Sequence, residues 1–300
     1  MMQVISVMIS PLLVLALAPL VAGIIKKAKA RMQNRRGPAL LQSYYDLHKL
    51  FHKGSIISST TSWVFKIAPY IYFATALAAA MLTFFAGPLV EFADLFLLVY
   101  IFAMGRFFLA LASLDSGSAF GGMGGSREMY ISVLVEPALL LSLLTVALPA
   151  GTTSMDNMKT MAEGFPLTLP YVLGAVAFFM VAVAETGRIP VDNPDTHLEL
   201  TMVHEGMLLE YSGCYLGLIH WASMVKQLTI LVLFTSLFLP WMPVVNGGIL
   251  IEGIFFAGKL LIAAVLLAVV ETSTNKLRLF RLQGFLAVSC LLSVLALVAQ

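Results

Sequence analysis

Eight separate runs of about twenty apolar residues leave this chain few folds to choose from. They lie at roughly 4–25, 66–87, 93–113, 129–150, 168–185, 222–243, 249–270 and 279–299. A helix of about 20 residues crosses the hydrocarbon core of a bilayer, and each run supplies one. The alternating pattern of a membrane barrel is missing, which excludes strands as the spanning unit. Composition agrees, with 60% of the residues hydrophobic and only 11% charged. A soluble domain carries about 25% charged residues, so this chain could not cover a surface in water. The expected fold is an all-α integral membrane protein, a single polytopic domain over residues 1–300 with about eight transmembrane helices.

Basic residues sort the connections into two sides. Lys26, Lys27, Lys29, Arg31, Arg35 and Arg36 follow the first run. A cleaved signal has its charge before the apolar stretch, so the first run is read as a retained helix. By the positive-inside rule it ends in the cytoplasm. Alternation through eight spans then places Lys49, Lys53, Arg127, Arg188, Lys276, Arg278 and Arg281 inside as well, and only Lys159 outside. The expected location is the cell (inner, cytoplasmic) membrane, multi-pass, with both termini outside.

The cytoplasmic connections, about 26–65, 114–128 and 186–221, are long and polar, and loops on a rigid scaffold are where function tends to lie. Within the first, SYYDLHKLFHK at 43–53 places Tyr44, Leu47, Leu50 and Phe51 at helical spacing, with Lys49, His52 and Lys53 opposite. It reads as a short interfacial amphipathic helix. Within the second, SGSAFGGMGGS at 116–126 has no preceding strand and no GK[ST], so it is a flexible or closely packed connector, not a phosphate cradle.

Charges also occur where lipid makes them costly: Arg106, Glu136, Glu185, Lys226, Lys259 and Glu271 lie within or at the rims of spans. Insertion costs about 2.5–3.5 kcal/mol for each charge at a helix centre, so such groups usually face the protein interior or a wet cavity. They serve either a proton path or static ion pairs that lock helices together. Both readings stand for Lys226 and Glu271, near span ends. Depth favours the path for Lys259 and Glu136. The segment from Glu185 to Gly213 holds Glu185, Asp192, Asp195, Glu199, Glu205 and Glu210 against one arginine, Arg188. Pro190 and Pro194 break the helix there. Asp195 and Glu199 then sit four apart on one helical face, where like charges repel. A solvated acidic loop is the other reading of this stretch. His204-Glu205 is not a zinc-protease motif, and His197 with His204 is weak as a metal pair. Cys214 and Cys290 lie far apart without the close, repeated spacing of a zinc or iron–sulfur site, so no cofactor is expected in this chain.

Three motifs together resemble a known family. They are Glu185-x-x-Arg188-x-Pro190-x-Asp192 leading to Glu210-Tyr211-Ser212-Gly213, RRGPALLQSYYDLHKL at 35–50, and SREMYISVLVEP at 126–137. The chain is similar over nearly its whole length to the membrane subunit that joins the two arms of respiratory complex I (the subunit 1 family) and of group 4 membrane-bound nickel–iron hydrogenases. The direct passage from Gly37-Pro38 to Leu41-Gln42 resembles the hydrogenase branch, formate hydrogenlyase-like. His197 stands where the complex I pattern has a glutamate, and the stretch before EYSG is longer by about three residues. The resemblance implies a membrane anchor and ion-coupling subunit, non-catalytic by itself, within an oxidoreductase complex. Its implied partners are hydrogenase large and small subunits, an iron–sulfur subunit, antiporter-like membrane subunits and the lipid bilayer, with no nucleic acid. The nickel–iron site and iron–sulfur clusters would sit in those partners. Glu136, Glu185, Asp192, Asp195, Glu199, Glu210 and Lys259 would form the coupling path. Arg35, Arg36, Asp46, Lys49, Arg127 and Arg188 would face partners. Rival readings are the quinone-site subunit of a complex I-type dehydrogenase, a passive anchor, and a stand-alone secondary transporter, against which no inverted repeat is evident.

A reporter fused after Gln300 is expected on the outer face and a tag within 26–65 on the inner face. A cytoplasmic C-terminus contradicts the eight-span reading.

Overall fold

The computed structural model describes residues 2–84, 93–164, 166–193, 202–239 and 248–300. Eleven helices are present among them: α1 Met2–Met32, α2 Gln42–His52, α3 Trp63–Phe84, α4 Leu95–Asp115, α5 Ala119–Ala150, α6 Met155–Ala162, α7 Leu169–Glu185, α8 His204–Leu208, α9 Gly213–Phe238, α10 Gly248–Ser273 and α11 Leu279–Val298. Eight of these carry the eight apolar runs. Seven are long and apolar enough to cross a membrane, and α7, with 17 residues, is shorter.

Helix α9 is the hub, packed against α1, α2, α3, α7 and α10. Small residues let neighbouring backbones approach, as is usual between helices in lipid. A Cβ on Gly105 of α4 would lie 2.5 Å from Thr75 Oγ1 of α3, and one on Gly174 of α7 would lie 2.5 Å from Thr145 Oγ1 of α5.

The short α7 runs antiparallel to α9. Tyr171 donates to the Leu237 carbonyl near one end, Phe178 stacks on Phe234, and Glu185 meets Lys226. Lys226 stands halfway along α9, so α7 stops at the middle of a helix roughly 39 Å long. Its last turn closes with Gly187 at φ +60 and the Arg188 amide donating to the Val183 carbonyl, a left-handed C-terminal cap. Ile189, Pro190, Val191 and Asp192 follow as buried, non-helical chain. Irregular backbone is tolerated at membrane depth only inside protein or along a cavity, and here it has both.

Two cytoplasmic connections are shorter than expected: α5 begins at Ala119 and α9 at Gly213. The glycine-rich 116–126 stretch is not a connector: α4 runs to Asp115, Ser118 caps the next helix by accepting from the Gly121 amide, and residues 119–150 are one helix of 32 residues. Gly121, Gly124 and Gly125 are buried there. A Cβ on Gly124 would lie 2.9 Å from the Met207 amide, and one on Gly125 would lie 2.3 Å from Ser113 Oγ. Close packing has overridden the poor helix propensity of glycine. In the connection at 151–167, α6 packs back on the bundle, and Lys159 donates to the Thr83 carbonyl at the end of α3. A cation at a helix C-terminus is favourable, while burial pushes this ammonium's pKa down.

On the basic side, α2 forms where its spacing predicted, with Leu47 buried and Lys49 and His52 exposed, packed on α1 and α9. Asp195, His197 and Glu199 lie outside the described residues.

Candidate functional site

Helices α4, α5, α7 and α9 each contribute one charged residue to a buried cluster. Arg106 donates through Nη1 to Glu185 Oε2 at 2.6 Å and through Nη2 to Glu136 Oε1 at 3.0 Å. Lys226 Nζ lies 2.9 Å from Glu185 Oε1 and 5.7 Å from the centre of the Phe102 ring. Ser132, one turn before Glu136, donates to the same Oε1 at 2.7 Å. The Glu185 side chain has no exposed surface and Arg106 only 4%, whereas Glu136 keeps 35%. Two carboxylates and two cations balance. Glu136 also borders a shallow cleft with Tyr100, Met104, Phe107 and Met129 on the outer surface of α4 and α5.

A second set lies toward the basic side. Glu271 of α10 pairs with Arg188 at 3.3 Å and with Lys29 of α1 at 3.5 Å, and Arg188 also donates to Gln227 of α9 at 2.9 Å. Asp192 pairs with Lys276 at 2.6 Å, while its other oxygen accepts from the amides of Val203 and His204. One carboxylate thus holds both ends of the 193–203 segment and ties them to the α10–α11 connection. The Leu277 amide, donating to the Pro190 carbonyl, adds a second tie.

A cavity of about 590 Å³ joins the two sets. Arg106, Glu185, Lys226 and Gln227 line its deep end, and Lys26, Asp46, Lys49 and Lys53 line its wall toward α2. Among the described residues, no group of three or more His, Cys, Asp or Glu is placed to hold a metal ion.

The expected site residues separate. Glu136 and Glu185 meet on Arg106, and Asp192 closes the base of the acidic loop. Glu210 is exposed and does not line the cavity. The rest of its motif is a clamp. Tyr211 donates to the Phe65 carbonyl at 2.8 Å and stacks on that ring, Ser212 exchanges hydrogen bonds with Ile56, and Gly213 has φ +56. Burial pushes the Tyr211 phenol pKa up. A Cβ on Gly213 would lie 2.6 Å from the Lys53 carbonyl. Lys259 lies on α10 outside the cavity and makes no ion pair among the described residues. Of the residues expected to face partners, Arg35 and Arg36 are exposed, but Arg188 points inward to Glu271 and Gln227, because unpaired it would be a stranded charge. Asp46 and Lys49 line the cavity, and Arg127 donates to the Met202 carbonyl at 3.2 Å. Lys29, Gln227, Ser132 and Tyr72 were not singled out as site residues in the sequence. Each is a polar residue in or beside an apolar run, and only tertiary packing reveals its partner.

A helical membrane bundle with paired charges at mid-depth, under a polar cavity on its basic side, is the class of protein defined here. A family model described as NADH dehydrogenase matches residues 4–300, and the chain belongs to that family, which holds subunit 1 of respiratory complex I. It is 37% identical to formate hydrogenlyase subunit 4 of Escherichia coli (strain K12), over 93% of this chain and 92% of that protein. It is 39% identical to hydrogenase-4 component C of the same strain, over 79% and 76%. It is 34% identical to an NADH-quinone oxidoreductase subunit of Rubrobacter xylanophilus, over 77% and 73%. In fold it matches a chain of the membrane-bound sulfane sulfur reductase, an archaeal respiratory membrane complex. The TM-score is 0.82 at 20% identity, with 97% of this chain and 99% of that one covered.

Charge balance in the cluster sets a stability test. Glu185→Gln leaves Arg106 with Glu136 but strands Lys226, and a broken buried pair typically costs about 3–5 kcal/mol. The double variant Glu185→Gln/Lys226→Met restores balance and is expected to recover most of that loss in thermal unfolding of the detergent-solubilised protein. Additive losses contradict the pairing.

Proposed function

We propose that this chain is the membrane anchor and ion-coupling subunit of a membrane-bound hydrogenase complex. It would join a soluble arm, with the nickel–iron site and iron–sulfur clusters, to antiporter-like membrane subunits. The observation that carries this reading is the placement of Glu185, Arg106 and Glu136 in line at mid-depth, between the charged cavity and the outer cleft of α4 and α5. Arg106 serves two carboxylates at once. A proton arriving on Glu185 releases its share of the guanidinium to Glu136, and a proton on Glu136 does the reverse. A bond that moves between two carboxylates as the proton moves is what a relay requires. The basic side would face the cytoplasm, by the positive-inside rule, with Arg35, Arg36 and the acidic loop bearing Asp195, Glu199 and Glu210 against the soluble arm. The identities to formate hydrogenlyase subunit 4 and hydrogenase-4 component C support the hydrogenase branch.

A quinone-site role is the second reading, favoured by the identity to the NADH-quinone oxidoreductase relative and by a cavity of sufficient volume for a ring head group. The lining weighs against it. Lys26, Lys49, Lys53, Asp46, Arg188 and Glu205 all border the space, and an apolar ligand would strip water from charges without replacing it.

In sealed vesicles holding the assembled complex, Glu136→Gln is expected to leave hydrogen evolution from reduced ferredoxin near the parent rate. The accompanying ion gradient is expected to fall by about tenfold or more, within the range of a lost proton-transfer group. An unchanged gradient contradicts the coupling role.

A further inference from the structure

His204 is a polar residue of the cavity that the ion pairs do not use. Its backbone amide is held by Asp192, and its Nε2 lies 3.3 Å from Ser223 Oγ of α9. The Tyr72 hydroxyl of α3 lies 3.4 Å from the same oxygen. Ser223 Oγ also lies 3.0 Å from the Ile219 carbonyl, to which it can donate its one proton. With the proton so placed it accepts from both neighbours, since a hydroxyl has one donor and two acceptor sites. In that arrangement Nε2 carries the hydrogen and Nδ1 is the basic nitrogen. Nδ1 has no hydrogen-bond partner among the described residues, and His204, Ser223, Tyr72, Arg106 and Glu185 all line one cavity.

Resting on the coupling role above, we propose that His204 is the group that takes up protons in the cavity and passes them toward the Glu185–Arg106–Glu136 cluster. A proton adds to Nδ1, giving the imidazolium. As the Nε2 proton passes to Ser223 Oγ, the Ser223 proton turns from the Ile219 carbonyl to Tyr72, and the Tyr72 proton turns away from Ser223 and is taken up across the cavity by the Glu185 carboxylate. The imidazole is neutral before and after. The proton left on Nδ1 returns to Nε2 by exchange with solvent, which resets the ring. Among the described residues, the ionisable groups that share its cavity are Asp192 and Glu205 on its own segment, Tyr72 on α3, Arg106 on α4, Glu128 on α5, Glu185 of α7 with Arg188 after it, His220 and Lys226 on α9, Lys26 on α1, and Asp46, Lys49 and Lys53 at α2.

His204→Gln keeps an N–H donor toward Ser223 and cannot be protonated. In vesicles of the assembled complex, hydrogen evolution from reduced ferredoxin is expected to stay within about twofold while the ion gradient falls by about tenfold or more. The gradient's dependence on pH is expected to flatten, because the variant has no imidazole to protonate. A full gradient with the parent pH profile overturns the proposal, and so does loss of hydrogen evolution in step with the gradient, which marks a structural role. Glu136→Gln in the same vesicles separates the two ideas. If it abolishes the gradient and His204→Gln does not, uptake at His204 falls alone. Nitrogen NMR of the 15N-histidine-labelled complex, with the His204 signals identified by their loss in His204→Gln, reads the ring without any pumping. The Nε2–H tautomer with Nδ1 titrating is expected, and a ring protonated on Nδ1 when neutral overturns the proposal even where the coupling role fails.

Discussion

A guanidinium shared by two carboxylates at the centre of the bundle is the constraint to which the rest of the structure conforms. Each charge at mid-membrane costs about 2.5–3.5 kcal/mol, so Arg106, Lys226, Glu136 and Glu185 together represent on the order of 10 kcal/mol against insertion. Pairing with full balance offsets that cost, and the last residue of α7 supplies the carboxylate at the centre of it. Continued past Glu185, α7 would run into the space that the cavity takes. Stopping halfway along α9 delivers the carboxylate to Arg106 and Lys226 together and opens space below it for the cavity.

The motifs around this centre are mostly supports. Gly124 and Gly125 bring α5 against α8 and α4, which fixes the register that puts Glu136 beside Arg106. Asp192 fastens the base of the acidic loop, and the Tyr211-Ser212-Gly213 clamp holds the chain from Lys53 to Phe65 against the start of α9. These contacts place α2 and the Asp192 and Val203 ends of the loop around the cavity. A strong motif can thus mark the frame of a site as readily as its chemistry.

The spans were legible in the sequence because lipid imposes a length and a composition that few other constraints share. The amphipathic α2 was equally plain from its spacing. Glu136 and Glu185 were visible as costly charges, but their common partner was not, since Arg106 lies on a different helix, 79 residues from Glu185. The glycine stretch misled because helix propensity is a local quantity and α5 is held by tertiary packing. The exposure of Glu210 and the inward turn of Arg188 were not legible, because a motif records that a residue matters and not which way it points. His204 looked idle until Ser223 and Tyr72 were brought to it from two other helices.

The central claim is that the paired carboxylates change protonation as electrons move, and infrared difference spectroscopy of the assembled complex tests it most directly. Spectra of the oxidised and reduced states should differ in the stretch of a protonated carboxyl group, and that band should be missing or displaced in Glu136→Gln. Identical difference spectra in the parent and the variant would mean that the cluster is a static ion pair and that coupling runs elsewhere.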